Sequence, residues 1–420
     1  MENPIPEIYV LWHPACAVGE VLARRIHEWL RPGSGLGPQV FYRSLPAPEA
    51  PPGGLPPPLP GEVRPGTLTP SRGSRVANTQ IVLLLIDQNM IVDAAWRHWI
   101  GSLAAVSNPT ERRTVLPVAL DATAFNVPAP LSELNFLRPA GLPLPEGRRP
   151  ARGEAVEIVV RSLLKQLTEA LCRLMLGRLA PTPAQATPGA GQGQAKITIF
   201  LSHAKADGTA PAERIRDYIY SQTQLAAFYD ENDIPFGSAF SRVLQTNVQG
   251  VQTAAMITIQ SAKYATRPWC RRELSLFRRP LQDGAVGQAE RWRLNPVLVV
   301  DALDGGSLTS GIPELGNAPL IRWADAFPDQ EEQVVTTVLR DVLLATFHSA
   351  VGRTITDAPD RIVLNWLPDP TTLLHIPRVR EAQQDLHLFY PGRGLSGLEL
   401  DILDELFPRV ELHSFETITA

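Results

Sequence analysis

Cysteine is nearly absent: the 420-residue chain has three (Cys16, Cys172, Cys270), an odd number with no CxxC spacing. That excludes a disulfide framework and a thiolate zinc cluster, and it fits a reducing, cytoplasmic setting. Basic charge is also scarce. Lysine and arginine total 39 against 43 acidic residues, a net charge of −4, with no dense basic tract. The electrostatic footprint of a nucleic-acid binder is therefore missing, and no direct nucleic-acid partner is expected. Long apolar runs are lacking too: the longest pure aliphatic stretch, Ile81 to Ile86, falls far short of the ~20 residues that span a bilayer. The start, Met1 to Tyr9, carries Glu2, Glu7 and two prolines instead of the basic opening of an export signal. No membrane partner is expected. Hydrophobic residues nonetheless make up 44% of the chain, enough to bury cores in two to three domains of ordinary size.

Proline is in excess, at 40 residues, roughly twice the ~5% average. Ten of them fall between Pro46 and Pro70, where a helix or central strand would lose backbone donors repeatedly, so residues 46–70 read as an exposed loop. The run Pro181 to Ala195 has no charge and almost no apolar side chain, which marks 181–195 as a flexible linker.

The two flanks of that linker repeat one pattern. Ile8 to His13 and Ile197 to His203 are apolar runs ending in His. Each precedes a helical stripe: Val21, Leu22, Ile26 and Leu30 in the first copy, Ile215, Tyr218 and Ile219 in the second. Val40-Phe41-Tyr42 then answers Ala227-Phe228-Tyr229, and Ile86 to Trp96 aligns without a gap on Ile259 to Trp269. Between the Phe-Tyr and Trp marks the first copy is 14 residues longer, which matches its Pro-rich insertion. Long closing helices are expected over Glu154 to Leu179 and Asp329 to Val351, the second opened by an Asp329/Glu332 capping box. Short apolar strands alternating with helices mean parallel sheets covered on both faces. The expected fold class is α/β: two flavodoxin-like, doubly wound parallel-sheet domains plus a small C-terminal α/β module. In that module strands are expected at Arg361 to Trp366, Leu386 to Tyr390 and Val410 to Phe415, with helices at Thr371 to Gln383 and Leu398 to Phe407. The domain limits are 1–180, 196–352 and 358–420.

Three motifs in the second copy carry chemistry. They are Phe200-Leu201-Ser202-His203 with Asp207; Phe228 to Gly237, which contains Asp230, Asp233, Ile234, Phe236 and Gly237; and Ser261, Tyr264 with Trp269-Cys270-Arg271-Arg272-Glu273-Leu274. Together they resemble the Toll/interleukin-1 receptor (TIR) domain of bacterial, NAD-cleaving type, over about 155 residues. Phe240 and Arg267-Pro268 depart from the family pattern. The resemblance implies that Glu273 is the catalytic glutamate and that Ser202, His203, Asp230, Phe236, Gly237, Ser261, Tyr264 and Trp269 line the NAD+ site. It implies NAD+ as substrate with no cofactor and no metal, self-association through TIR domains, an upstream activating protein or ligand, and a place in bacterial antiviral defence or signalling.

Open parallel sheets bind ligands beyond the carboxyl ends of their strands, where Ser202, Asp230 and the segment leading to Glu273 are expected. Pro235 and Gly237 suit a sharp type I turn. A single carboxylate can suffice for the chemistry, because nicotinamide leaves a pyridinium linkage as a neutral molecule and needs no general acid, unlike the two-carboxylate glycosidases. Other readings stand beside these. Glu273 at the start of a helix complements its dipole, Cys270 lacks local support as a nucleophile, and Asp230 with Asp233 fits turn formation. In the first copy Trp12, Gln88, Ile91 and Ile100 stand where Ser202, Ser261, Tyr264 and Glu273 stand in the second, which makes it a degenerate, non-catalytic TIR-like domain. The alternatives to an enzyme are a scaffold assembling partners and a receptor for a nucleotide signal. The turn Tyr390 to Gly397 reads as an ordinary βα turn with a Ser396/Glu399 capping box.

Overall fold

The computed structural model describes residues 5–31, 37–44, 54–56, 59–60, 79–105, 113–142, 154–179, 197–223, 225–229, 253–283, 289–303, 312–315, 318–324, 328–392 and 394–418. The chain divides into two compact units, Met1–Leu174 and Met175–Ala420.

In the first unit, β1 (Pro6–Trp12), β2 (Gln39–Arg43), β3 (Thr79–Ile86) and β4 (Arg113–Ala119) form one sheet in the order β2-β1-β3-β4. All neighbours are parallel, and a parallel bridge from Val118 to Leu137 extends the edge. The apolar runs of β1 and β3 are buried along their length, as strands covered on both faces must be. The helix Gly19–Leu30 covers the sheet with Leu22, Ala23, Ile26 and Leu30, whereas Val21 faces solvent. Helix Ala94–Ala105 buries Trp96, Trp99, Ile100 and Leu103, and helix Glu154–Leu179 forms where the sequence places it. Part of the Pro-rich segment is not exposed. Leu59 is buried in this core with Leu55 packed against it, and the Pro60 carbonyl accepts from Gln80 Nε2 and Arg113 Nη2, so these residues of the insertion are anchored. The linker 181–195 lies outside the described residues.

The second unit holds two sheets. β5 (Thr198–His203), β6 (Ala226–Tyr229), β7 (Thr253–Gln260), β10 (Val297–Asp301) and β11 (Leu320–Arg322) make a parallel sheet ordered β6-β5-β7-β10-β11. That is the 2-1-3-4-5 order of flavodoxin-like domains, and the sheet of the first unit shares its first four positions. Helix Thr209–Gln222 faces it with Ile215 and Ile219, and Tyr218 reaches the carboxylate of Glu332 (3.0 Å).

The third sheet runs β14-β13-β12-β9-β8, with β8 (Leu281–Gln282), β9 (Glu290–Arg293), β12 (Arg361–Leu364), β13 (Leu386–Tyr390) and β14 (Val410–Ser414). Its C-terminal strands are therefore completed by a two-stranded antiparallel ribbon from residues 281–293, inside the preceding domain's sequence. Helix Gln330–Gly352 packs on β7 and β10 of one sheet and β12 of the other. A helix buried on both sides is apolar nearly all round. It is long and apolar enough by composition to cross a membrane, yet most of it is buried between the two sheets. A Cβ on Gly352 would stand 2.8 Å from Val363 Cγ1, so the close approach of this helix to β12 requires glycine.

Three local expectations are corrected. Asp329 adopts a left-handed backbone (φ 58°, ψ 25°) and makes no side-chain cap bond, so the Asp329/Glu332 box does not form; capping needs extended backbone. The expected helix Thr371 to Gln383 is two short ones, Pro370–Leu373 and Pro377–Arg380, because Pro377 lacks the donor that would carry a helix through it. The last strand ends at Ser414 and a short helix, Phe415–Ile418, follows. The Ser396/Glu399 capping box is formed, and Ser414 Oγ donates to the Gly392 carbonyl (2.5 Å) to close the turn before it.

Candidate active site

β5 is flanked by β6 and β7, and its final residues, Ser202 and His203, stand at the carboxyl edge of the sheet. Ser202 is paired in register with Thr258, two residues before β7 ends at Gln260. The chain leaving β7 passes Ser261, makes a tight turn at Tyr264–Thr266, and enters helix Pro268–Phe277 with Pro268 in its first turn, where a missing N–H costs nothing. Cys270, Leu274 and Phe277 form the buried stripe of that helix. Glu273, three residues after Cys270, lies at the border of that stripe and is half-buried. It is the sixth residue of the helix and not its first, so the helix dipole does not explain it.

A hydrogen-bonded chain runs to this carboxylate. Ser202 Oγ donates to Glu273 Oε2 at 2.7 Å, and it lies 2.9 Å from the Tyr264 hydroxyl. Because the carboxylate only accepts, the serine proton points to Glu273 and its lone pair faces the phenol. Tyr264 OH is also within 3.3 Å of the Cys270 carbonyl. Ser202 and Tyr264 are buried, and burial holds the Tyr264 phenol far above its ordinary value, with the Glu273 charge adding to the effect. The phenol therefore stays a neutral hydrogen-bond partner. Burial and the Glu273 charge also push the Cys270 thiol up to about 12, and its Sγ donates to the His203 carbonyl at 3.4 Å. Cys270 is thus a packing residue, without the lowered pKa of a nucleophile.

Ser261 donates to Asp207 Oδ1 (2.6 Å), while the Lys263 backbone N–H donates to Asp207 Oδ2 (2.9 Å). Asp207 thereby latches the loop after β5 to the loop after β7 and holds the two sides of the site together. His203 contributes its carbonyl, and its side chain is half-buried. Trp269 is 51% exposed, with the Arg272 guanidinium 5.3 Å from its ring centre. Asp230, Phe236 and Gly237, together with Asp233 and Phe240, lie outside the described residues. Asp207 stands in the first sequence motif, but its role as a latch is carried there by no signal beyond an acid four residues past the strand.

The arrangement presents one half-buried carboxylate at a sheet edge, oriented from behind by a serine and a neutral tyrosine. Such a group accepts hydrogen bonds from ligand hydroxyls and stabilises developing positive charge. Residues 199–338 match the family model of the TIR domain, and this stretch of the chain is a TIR domain. The match runs from β5 into helix Gln330–Gly352. No curated protein matches the chain. TIR domains include both enzymes and non-enzymatic adaptors.

Proposed function

We propose that the TIR domain cleaves NAD+ at the nicotinamide–ribose bond. In this reading Glu273 holds the ribose hydroxyls and stabilises the oxocarbenium-like transition state, the pyridinium takes the bond electrons and leaves as neutral nicotinamide, and water supplies the hydroxyl of ADP-ribose and releases a proton. Attack by the adenine ring in place of water gives a cyclic product. NAD+ is then substrate, with no resident cofactor. The supporting observation is the Tyr264–Ser202–Glu273 chain, which orients the Glu273 carboxylate. In the first unit three of the four equivalent places, Trp12, Ile91 and Ile100, hold apolar side chains: Trp12 pairs with Leu85 at the register where Ser202 pairs with Thr258, and Ile100 is buried. That unit is read as a non-catalytic TIR-like domain of a cytoplasmic defence or signalling protein.

The test is NAD+ consumption by concentrated full-length protein beside Glu273→Gln, with products separated by chromatography. Nicotinamide release by the unmutated chain alone supports the assignment; equal release by Glu273→Gln overturns it. A second reading, assembly of partners or of further TIR domains, is favoured by the exposed Trp269 carrying Arg272. It predicts that Trp269→Ala lowers the assembled mass in light scattering. Saturable NAD+ binding without turnover would instead indicate a nucleotide receptor.

A further inference from the structure

The third sheet carries a separate cluster of ligating side chains. His387 on β13 stands directly opposite Glu411 on β14, and Phe389 stands opposite His413. Side chains alternate along a strand, so His387, Glu411 and His413 project from one face. His387 Nδ1 lies 3.1 Å from His413 Nε2 and 3.1 Å from Glu411 Oε2, and His413 Nε2 lies 3.7 Å from Glu411 Oε1. Nitrogen and oxygen ligands at ~2.0–2.1 Å from a tetrahedral zinc ion are about 3.3–3.4 Å apart. The three donors already stand near that spacing.

Two further contacts orient the set. The other ring nitrogen of His387, Nε2, faces Asp360 Oδ2 at 3.8 Å, and the His387 backbone N–H donates to the Asp360 carbonyl at 2.9 Å. A carboxylate on that side of the ring favours the Nε2–H tautomer, which leaves the inner nitrogen free to ligate. The His413 ring is stacked on Phe389, with centroids 5.0 Å apart and planes at 22°.

We propose that His387, Glu411 and His413 bind one divalent transition-metal ion of the zinc class, with Asp360 as the outer partner of His387. Two imidazoles and one carboxylate favour Zn²⁺ over the hard, oxygen-seeking Mg²⁺ and Ca²⁺. Three protein ligands leave a fourth position for water or an added ligand. The ion would tie β14, an edge strand, to β13.

The experiment is equilibrium dialysis of Zn²⁺ against the tag-free, chelator-stripped full chain, with metal counted by atomic emission. About one equivalent per chain is expected. It should be lost in His387→Gln/His413→Gln, and Asp360→Asn should weaken affinity roughly tenfold to a hundredfold. Co²⁺ should give d–d bands with no thiolate charge-transfer band. Absence of stoichiometric Zn²⁺, unchanged binding in the double variant, or a thiolate band would each overturn the proposal. Should the double variant fail to fold by circular dichroism, Glu411→Gln, whose side chain is exposed, carries the same comparison.

Discussion

Removing the Ser202 hydroxyl isolates the link on which the site reading rests. Ser202 is 1% exposed, and alanine fills nearly the same volume, so Ser202→Ala leaves packing intact and deletes two contacts: the 2.7 Å bond to Glu273 and the 2.9 Å contact to Tyr264. A hydrogen bond to a charged group contributes roughly 1.5–3 kcal/mol. Glu273 is half-buried, so water replaces part of the lost bond, and Tyr264 keeps the Cys270 carbonyl at 3.3 Å, so no buried hydroxyl is orphaned. The expected cost is therefore at the low end, about 1.5 kcal/mol. The same value should appear as the coupling energy of a double-mutant cycle with Glu273→Ala, read from urea unfolding of the full chain, since residues in contact couple by about 0.5–3 kcal/mol. Turnover should fall about ten- to a hundredfold, because a misdirected carboxylate loses part of its transition-state contact while Glu273→Gln loses all of it. Additive stabilities in the cycle, together with unchanged NAD+ turnover in Ser202→Ala, would refute the reasoning.

All three cysteines are buried, and Cys16 and Cys270 are both pushed up to about 12 by burial, so at pH 8 about one thiol in ten thousand at those sites is ionised; a thiol reagent should leave the native protein unmodified and label three sites after unfolding. Asp341 is raised from 3.8 to about 6 by burial, against the pull of Arg340, so the folded state holds its proton more tightly than the unfolded one and stability falls as pH rises between those values. Asp341→Asn should accordingly change nothing near pH 3.5 and raise stability above about pH 6.5 by up to roughly 3 kcal/mol, measured as urea midpoints across pH. Phe277, 2% exposed at the end of the site helix, anchors that helix in the core, and Phe277→Ala should cost about 3–5 kcal/mol and lower turnover together with the unfolding midpoint.

What could be read from the sequence is what neighbouring residues decide. The runs at β3, β5 and β10 are apolar over several consecutive positions, and helix Glu154–Leu179 repeats its apolar residues at helical spacing, so each announces itself locally. Ser202, Tyr264 and Glu273 are grouped in the sequence by the motifs that resemble the TIR domain, and the shared edge of strand ends in a parallel sheet brings Ser202 near the segment leading to Glu273; a separation of 71 positions carries no distance information of its own. β8 and β9 show the opposite case. With the sequences Leu-Gln and Glu-Arg-Trp-Arg they have neither the length nor the alternation of a strand, and they become strands because β12 offers an unpaired edge to which β9 hydrogen-bonds. The His387–His413 pair follows the same logic, since a 26-residue separation becomes a 3.1 Å contact only through the register of β13 on β14. Register depends on which core the strands share, so a one-residue slip would send His387 and His413 to opposite faces and dissolve the cluster. The buried alternation of Leu386, Leu388 and Tyr390 opposes that slip, which makes the apolar core on one face of the sheet the reason that the ligating groups meet on the other.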